Sequence, residues 1–432
     1  MSETFDAIVI GAGVIGACTA LELARSGRRV VVVDKGAEAG HGSTSASCAI
    51  IRTYYSTLDA CSVAYEGYFH WRDWPNHLGV EDERGLARFH ETGTLCLKTR
   101  QNGHLARVCA MMDQIGCPYE HVAPEDIPTR FPGAAMETYY PARSRDDPEF
   151  GEPNGGQVAG AVFFPRGGYV NDPALAAHNA QRAAEAAGAT FRFRAAVTGV
   201  LANGRVRGVR LSDGTEVHAP VVVNVGGPHS SALNRMAGVT DDMAISTRPM
   251  RHQVAHVKAP DGFLPDPGIV YSDSDIQGYM RSDKGGHLLI GSEDPACDGH
   301  DWADDADDYD TNPSDLLETY VMRAAQRLPN LRIPNRAAGV VHLYDVTEDW
   351  APIYDASQLP GWYMACGTSG NQFKNAPVAG RMMRHLIDRV EAGHDHDAEP
   401  VTFELPHLGR TISMGTYSRR RKLNASTFSV LG

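Results

Sequence analysis

The chain has no paired-cysteine spacing: its eight cysteines are scattered through 432 residues without a CxxC. That excludes a disulfide framework and fits a reducing, cytoplasmic setting. It has no basic excess, and a formal charge of -13 lacks the cationic footprint that nucleic-acid binders carry. It also has no uninterrupted apolar span. The longest candidate, Ala7 to Ala24, is broken by Gly11, Gly13 and Gly16 and carries Glu22. Acidic residues precede it, Glu3 and Asp6, where a signal peptide is basic, so neither a leader nor a membrane segment is expected. No repeat of fixed period occurs. Ordered metal-ligand spacing is lacking too. The acidic run 298–310 has no EF-hand order and reads as a solvated charge run, as does "GHDHD" at 393–397. No metal site is expected.

What is present is material for a sizeable core, with hydrophobic content of 42% over a length that allows two domains. "FDAIVIGAGVIGACTALELARSGRRVVVVDKG" reads as strand, glycine turn, helix and strand. Within it Gly11, Gly13 and Gly16 form GxGxxG at a helix start, and Asp34, followed by Lys35, ends the second strand. Glycines let backbone approach a pyrophosphate, the helix start offers N–H groups, and the acid suits a ribose hydroxyl. The motif predicts a dinucleotide but does not separate NAD from FAD.

Further on, "GTLCLKTR" (93–100) reads as a strand and Leu105 to Ile115 as a helix, and 141–156 reads as a surface loop. Asp172 and Pro173 open a helix that Gly188 ends. Asn203-Gly204 and Asp213-Gly214 mark hairpin turns, and "VVVNVGG" (221–227) reads as a buried strand closing on glycines. Strand, glycine turn and helix return in "GWYMACGTSGNQFKNAPVAGRMMRHLIDRV". The expected fold is therefore α/β with an α+β part: a discontinuous Rossmann-like domain carrying an inserted, β-sheet-rich substrate domain. The expected boundaries are 1–85, 160–235 and 338–400 for the first, 86–159 and 236–337 for the second, and 401–432 for a C-terminal tail.

The N-terminal fingerprint, "GSTSASCAIIR", "GGYVNDPALAAHNAQRAAEAAG", "VVVNVGG" and "GTSGNQFKNAP" occur in the order and spacing of one family. The chain resembles the D-amino-acid-oxidase-like FAD oxidoreductases, in the sarcosine oxidase and dimethylglycine dehydrogenase branch, particularly its β-subunit type. The resemblance implies FAD. It implies that Gly11, Gly13, Gly16, Asp34 and Lys35 hold the ADP half. Ser43, Thr44, Ser47, Cys48 and Ala49 would line the ribityl chain and flavin. Val197 would lie by the adenine, Gly226 and Gly227 would close on the cofactor, and Gly367, Thr368, Ser369 and Gly370 would run beside the ring. Arg52 and Lys374 match positions that clamp a substrate carboxylate, and a planar guanidinium with a point-charge ammonium suits that task. His252 and Tyr279 are candidates to face the substrate amine.

Three positions depart from the family pattern. His342 stands where single-chain sarcosine oxidases tether flavin through cysteine, and no histidine occupies 44–48, so dissociable FAD is expected, with His342 or Cys366 as the alternative tethers. Leu289 stands where oxidases place an oxygen-activating lysine, Lys284 lying in a turn, so the electron acceptor is open between oxygen and another partner. Gln372 replaces a small glycine. The implied activity is oxidation of an N-alkyl amino acid at carbon–nitrogen by hydride transfer to flavin N5, followed by imine hydrolysis. Three alternatives stand beside it: a D-amino acid or glycine oxidase or dehydrogenase, an FAD-carrying subunit active only in a complex, and an NAD-dependent dehydrogenase. The basic stretch of the tail suits either a partner surface, in a homo- or hetero-oligomer, or its own domain.

Overall fold

In the computed structural model, which describes residues 3–100, 102–263 and 267–424, a six-stranded sheet forms the centre of the first domain. Its order is Thr190–Arg192, Val30–Val33, Ala7–Ile10, Val221–Asn224, Trp362–Cys366 and Ile353–Ala356. The first five strands are parallel and the last is antiparallel. Uninterrupted runs such as AIVI and VVVV are buried throughout, as a parallel sheet covered on both faces requires. Helix Val14–Arg25 is buried along most of its length between the helices Pro173–Ala186 and Ala376–Glu391. Gly380 allows that approach: a Cβ there would lie 2.5 Å from the Cys18 carbonyl oxygen.

A four-stranded sheet, with Val197–Ala202 and Val206–Leu211 as its expected hairpin, covers one flank. The second domain is a nine-stranded sheet backed by helix Asp315–Arg327. Two of its strands correct the expected boundaries. Ala161–Phe164 pairs with Thr94–Leu97, and Ala338–Val346 pairs with Arg248–Lys258, although both fell within segments assigned to the nucleotide domain. The alternation that marks strands cannot say which sheet they join.

The expected helices Leu105–Ile115 and Pro173–Ala186 are present, the latter capped by Asp172 accepting from the Leu175 N–H at 2.9 Å. All eight cysteines are free thiols. Among the described residues no helix is long and apolar enough to cross a membrane. The described part of the tail packs on its own chain. Arg419 is fully buried against Asp242, Asp355 and Asp397, and Arg421 pairs with Asp349 at 2.7 Å. Residues 425–432 of the tail lie outside the described residues.

Candidate active site

The glycine turn leaves the end of Ala7–Ile10 and enters helix Val14–Arg25. Gly11 has φ of +109°, and a Cβ on it would sit 2.3 Å from the Val225 carbonyl oxygen, so no side chain fits. A Cβ on Gly16 would lie 2.0 Å from the Gly11 oxygen, which is how closely turn and helix meet. Asp34 ties this turn to the neighbouring strand: its carboxylate accepts from the Ala12 and Gly36 N–H groups, each at 2.6 Å. Gly13, at the N-cap, offers no side chain to the first-turn amides of a twelve-residue helix, and Thr44 Oγ1 accepts only from Val14 at 3.2 Å. The remaining donors suit an anion.

From this turn a single cavity of about 820 Å³ runs to the substrate sheet. Gly11, Gly13, Gly16, Asp34, Lys35 and Val197 line its nucleotide end, together with Gly226 and Gly227. Ser43, Thr44, Ser47, Cys48 and Ala49 line its middle, and Arg52, Tyr279, His342, Thr368, Gly370 and Lys374 line it as well. The sequence-expected set therefore converges on one space, with three exceptions. Gly367 and Ser369 do not line the cavity but shape the loop that does. The Gly367 N–H donates to Asp345 Oδ2 at 2.7 Å, the Ser369 N–H donates to the Asp345 carbonyl at 3.0 Å, and Thr368 Oγ1 donates to the same carboxylate. His252 is the third. Its ring stacks 4.4 Å behind Tyr344, and Nδ1 lies 3.4 Å from Asp294, so Tyr344 and not His252 meets the cavity. The strand borders the site as expected, but the His252 side chain lies one layer behind it.

At the far end Arg52 and Lys374 converge on Tyr55. The Arg52 guanidinium lies 4.1 Å from the Tyr55 ring centroid and donates to the Tyr54 carbonyl at 3.1 Å. Lys374 Nζ donates to the Tyr55 hydroxyl at 2.6 Å and to the Asn371 carbonyl at 2.7 Å. Both side chains are buried, and the two acceptors of Lys374, a phenol and a carbonyl, are neutral. Burial, with the Arg52 charge second, holds the Lys374 ammonium well below its ordinary value. An anion arriving between them relieves both penalties. Gln372 lines the same end, but its amide is engaged by Asn371, Tyr354 and Asn375.

Beside the middle, Tyr279 reaches within 3.9 Å of Cys48 Sγ, and burial pushes its phenol well above the usual value. His342 Nδ1 accepts from the Leu343 N–H at 2.9 Å and lies 3.3 Å from Ser43 Oγ, so the neutral ring carries its proton on Nε2. Cys366, Leu289 and Lys284 do not line the cavity.

Sequence reasoning missed the acidic run's part in the site. Ala306, Asp307 and Tyr309 line the cavity, and Asp307 pairs with Lys35 and lies 3.0 Å from His229 Nε2. Burial, then the Lys35 charge, lowers His229 to about 4. The only sequence cue was Tyr309, an aromatic inside a charge run. The run 393–397 is structural: His396 accepts from the Val401 N–H, and Asp397 pairs with Arg419. Two His-carboxylate groups do come together elsewhere, Glu66 with His70 and His407, and Asp82 with Glu83 and His178. In the first, Arg381 already stands 3.2 Å from His70 Nε2 as the cation.

The residues fit FAD: a glycine turn with donor-rich helix start at one end, small side chains along the middle, and one continuous cavity. A glycine oxidase of Geobacillus kaustophilus is 23% identical over 416 residues, 95% of this chain and 100% of that one. The sarcosine oxidase subunit beta of Rhizobium meliloti is 26% identical over 400 residues, covering 89% and 85%. Among solved structures, L-proline dehydrogenase from P. horikoshii has a TM-score of 0.76 at 21% identity over 98% of both chains, a likeness of fold. The FAD dependent oxidoreductase family matches residues 6–386, and the chain belongs to that family: it is an FAD-dependent oxidoreductase.

Proposed function

We propose that the enzyme oxidises the carbon–nitrogen bond of a small N-alkyl amino acid, with Arg52 and Lys374 holding its carboxylate. The observation that carries this reading is the pair of buried cations converging on Tyr55 at one end of the cofactor cavity. The guanidinium engages two carboxylate oxygens, and the ammonium adds charge. Anchoring that end orients the amine and its neighbouring C–H bond toward the middle of the cavity, a contribution of positioning. When bound, FAD supplies the two-electron acceptor that amine oxidation needs. The organic product is an imine, which water hydrolyses. Gly11, Gly13, Gly16 and Asp34 hold the nucleotide, and Ser43 to Ala49 line the rest of the cofactor, which we read as dissociable.

The similar proteins support an amine or amino acid as substrate, since their names include glycine oxidase, sarcosine oxidase subunit beta and L-proline dehydrogenase. The lysines lining the cavity are Lys35, at the nucleotide end, and Lys374, at the carboxylate anchor. With no third one beside the middle among the described residues, we favour an acceptor other than oxygen. Anaerobic mixing of the FAD-loaded protein with N-methyl amino acids and primary D-amino acids tests the reading. Bleaching is expected first with the N-methyl compounds, and slow recolouring in air. Faster bleaching by primary D-amines assigns the site to them instead.

A further inference from the structure

One buried carboxyl close to the anchor has no part in that reading. Glu293 follows strand His287–Ser292 and is 2% exposed. Its Oε1 accepts from Ser272 Oγ at 2.9 Å, and its Oε2 is buried without a hydrogen-bond partner. Ser272 and Tyr54 both line the cavity, the Tyr54 hydroxyl is turned toward Cys96 and Ser272, and the Arg52 guanidinium lies 5.4 Å from the Tyr54 ring centroid. Glu293 therefore stands behind the wall on which Arg52 rests.

We propose that Glu293 makes carboxylate binding at Arg52 proton-linked, taking up one proton when a ligand's acid group reaches the guanidinium. This rests on the carboxylate-anchor reading of Arg52. Two ionised carboxylates cannot share one cation at low cost in a dry site, so the arrival of one favours protonation of the other. The step is a proton transfer alone: one O–H bond forms on Glu293, and the proton comes from solvent or from the ligand's ammonium. The unpartnered Oε2 is costly as an anion and less so as part of a neutral acid.

The groups facing Glu293 are Ser272, Asp273 and Ser274 from one strand end, Cys96 from the next, and Arg52 from the anchor loop, with Tyr54 set between Cys96 and Ser272. Asp273 is already paired with Arg327 at 2.7 Å. Burial, with the Asp273 charge added, raises Glu293 to about 8, while Ser274, Ser272 and the Arg52 charge pull it down. At neutral pH the site is thus poised to accept an acid, and above that value Glu293 competes with it.

Propionate, a redox-inert carboxylate, is the probe, titrated into the FAD-loaded enzyme by its effect on the flavin spectrum. The expected Kd weakens roughly tenfold between pH 7 and pH 9, as a group titrating near 8 imposes. Glu293→Gln should lose that change. Lys374→Met, which removes the ammonium that shares the anchor with Arg52, should keep it. Independently of any variant, calorimetry of the wild type at pH 9 in two buffers of different ionisation heat should show close to one proton taken up per propionate. A pH-independent Kd or no proton uptake in the wild type, with binding still lost in Arg52→Ala, overturns the linkage alone. Propionate binding indifferent to Arg52→Ala overturns the anchor and the linkage together.

Discussion

Arg52→Ala removes the fork that we assign to the substrate carboxylate. Arg52 is 6% exposed, so water cannot take the place of its guanidinium cheaply. Truncating one partner of a buried, hydrogen-bonded charge pair costs about 2–5 kcal/mol. Lys374 remains as a second cation at the same end, which puts the expected loss in the middle of that range, about 3 kcal/mol or roughly 150-fold in affinity. The stacking on Tyr55 at 4.1 Å is lost as well, but that affects stability more than binding. Arg52→Lys keeps the charge and loses the second hydrogen bond, so roughly tenfold is expected there. The assay is anaerobic flavin reduction over a range of substrate concentrations, which separates Kd from the limiting rate. The loss should fall on Kd for the amino acid and leave a carboxylate-free amine unaffected. A change under about fivefold, or an equal loss for both compounds, refutes the anchor.

Gly370→Ala should disable the site, because Gly370 has φ of +69° and an added Cβ would stand 2.2 Å from the Tyr344 ring. Left-handed backbone alone costs about 1–2 kcal/mol, and the displaced ring should lower FAD occupancy, read from the flavin absorbance of purified protein. Asp307→Asn weakens the tie between the acidic loop and Lys35. Faster FAD release in stopped flow is expected, and an unchanged rate means that the loop does not retain the cofactor. His70 and His77, buried neutral, are lowered to about 2 and about 3. The folded state then binds fewer protons than the unfolded state below pH 6.5, so stability should fall from there down to about pH 3. The slope is about 1.4 kcal/mol per pH unit for each histidine. His77→Gln should reduce that slope in denaturant titrations, and a slope that does not change argues that His77 is protonated when folded.

Local chemistry made the nucleotide half legible. Gly16 and Asp34 act through neighbours within a short βαβ unit, so sequence spacing carried the geometry, whereas the crowding at Gly11 comes from Val225 at the end of a distant strand. Arg52 and Lys374 were legible as residue types at family positions, and the structure adds that both meet at Tyr55. Long-range pairing was less accessible. Ala338–Val346 reads as a strand, but its partner Arg248–Lys258 lies some 90 residues away, and no local signal specifies that choice. The layer error at His252 follows from the same source, because a stacked tyrosine from the paired strand intervenes. The acidic loop misled because charge density marks solvation on average, whereas Asp307 has a specific cationic partner brought from residue 35. Glu293 gave no signal at all: a Ser-Glu-Asp triplet at a strand end is ordinary until burial isolates one oxygen.

The central claim is that this cavity selects its amine by the carboxylate attached to it. The most direct measurement compares flavin reduction in the wild-type enzyme, without air, by an N-methyl amino acid and by the same amine lacking its carboxylate, such as sarcosine against dimethylamine. With two buried cations at the anchor, the account predicts at least a roughly 100-fold advantage in kred/Kd for the acid. Comparable reduction by both compounds contradicts it.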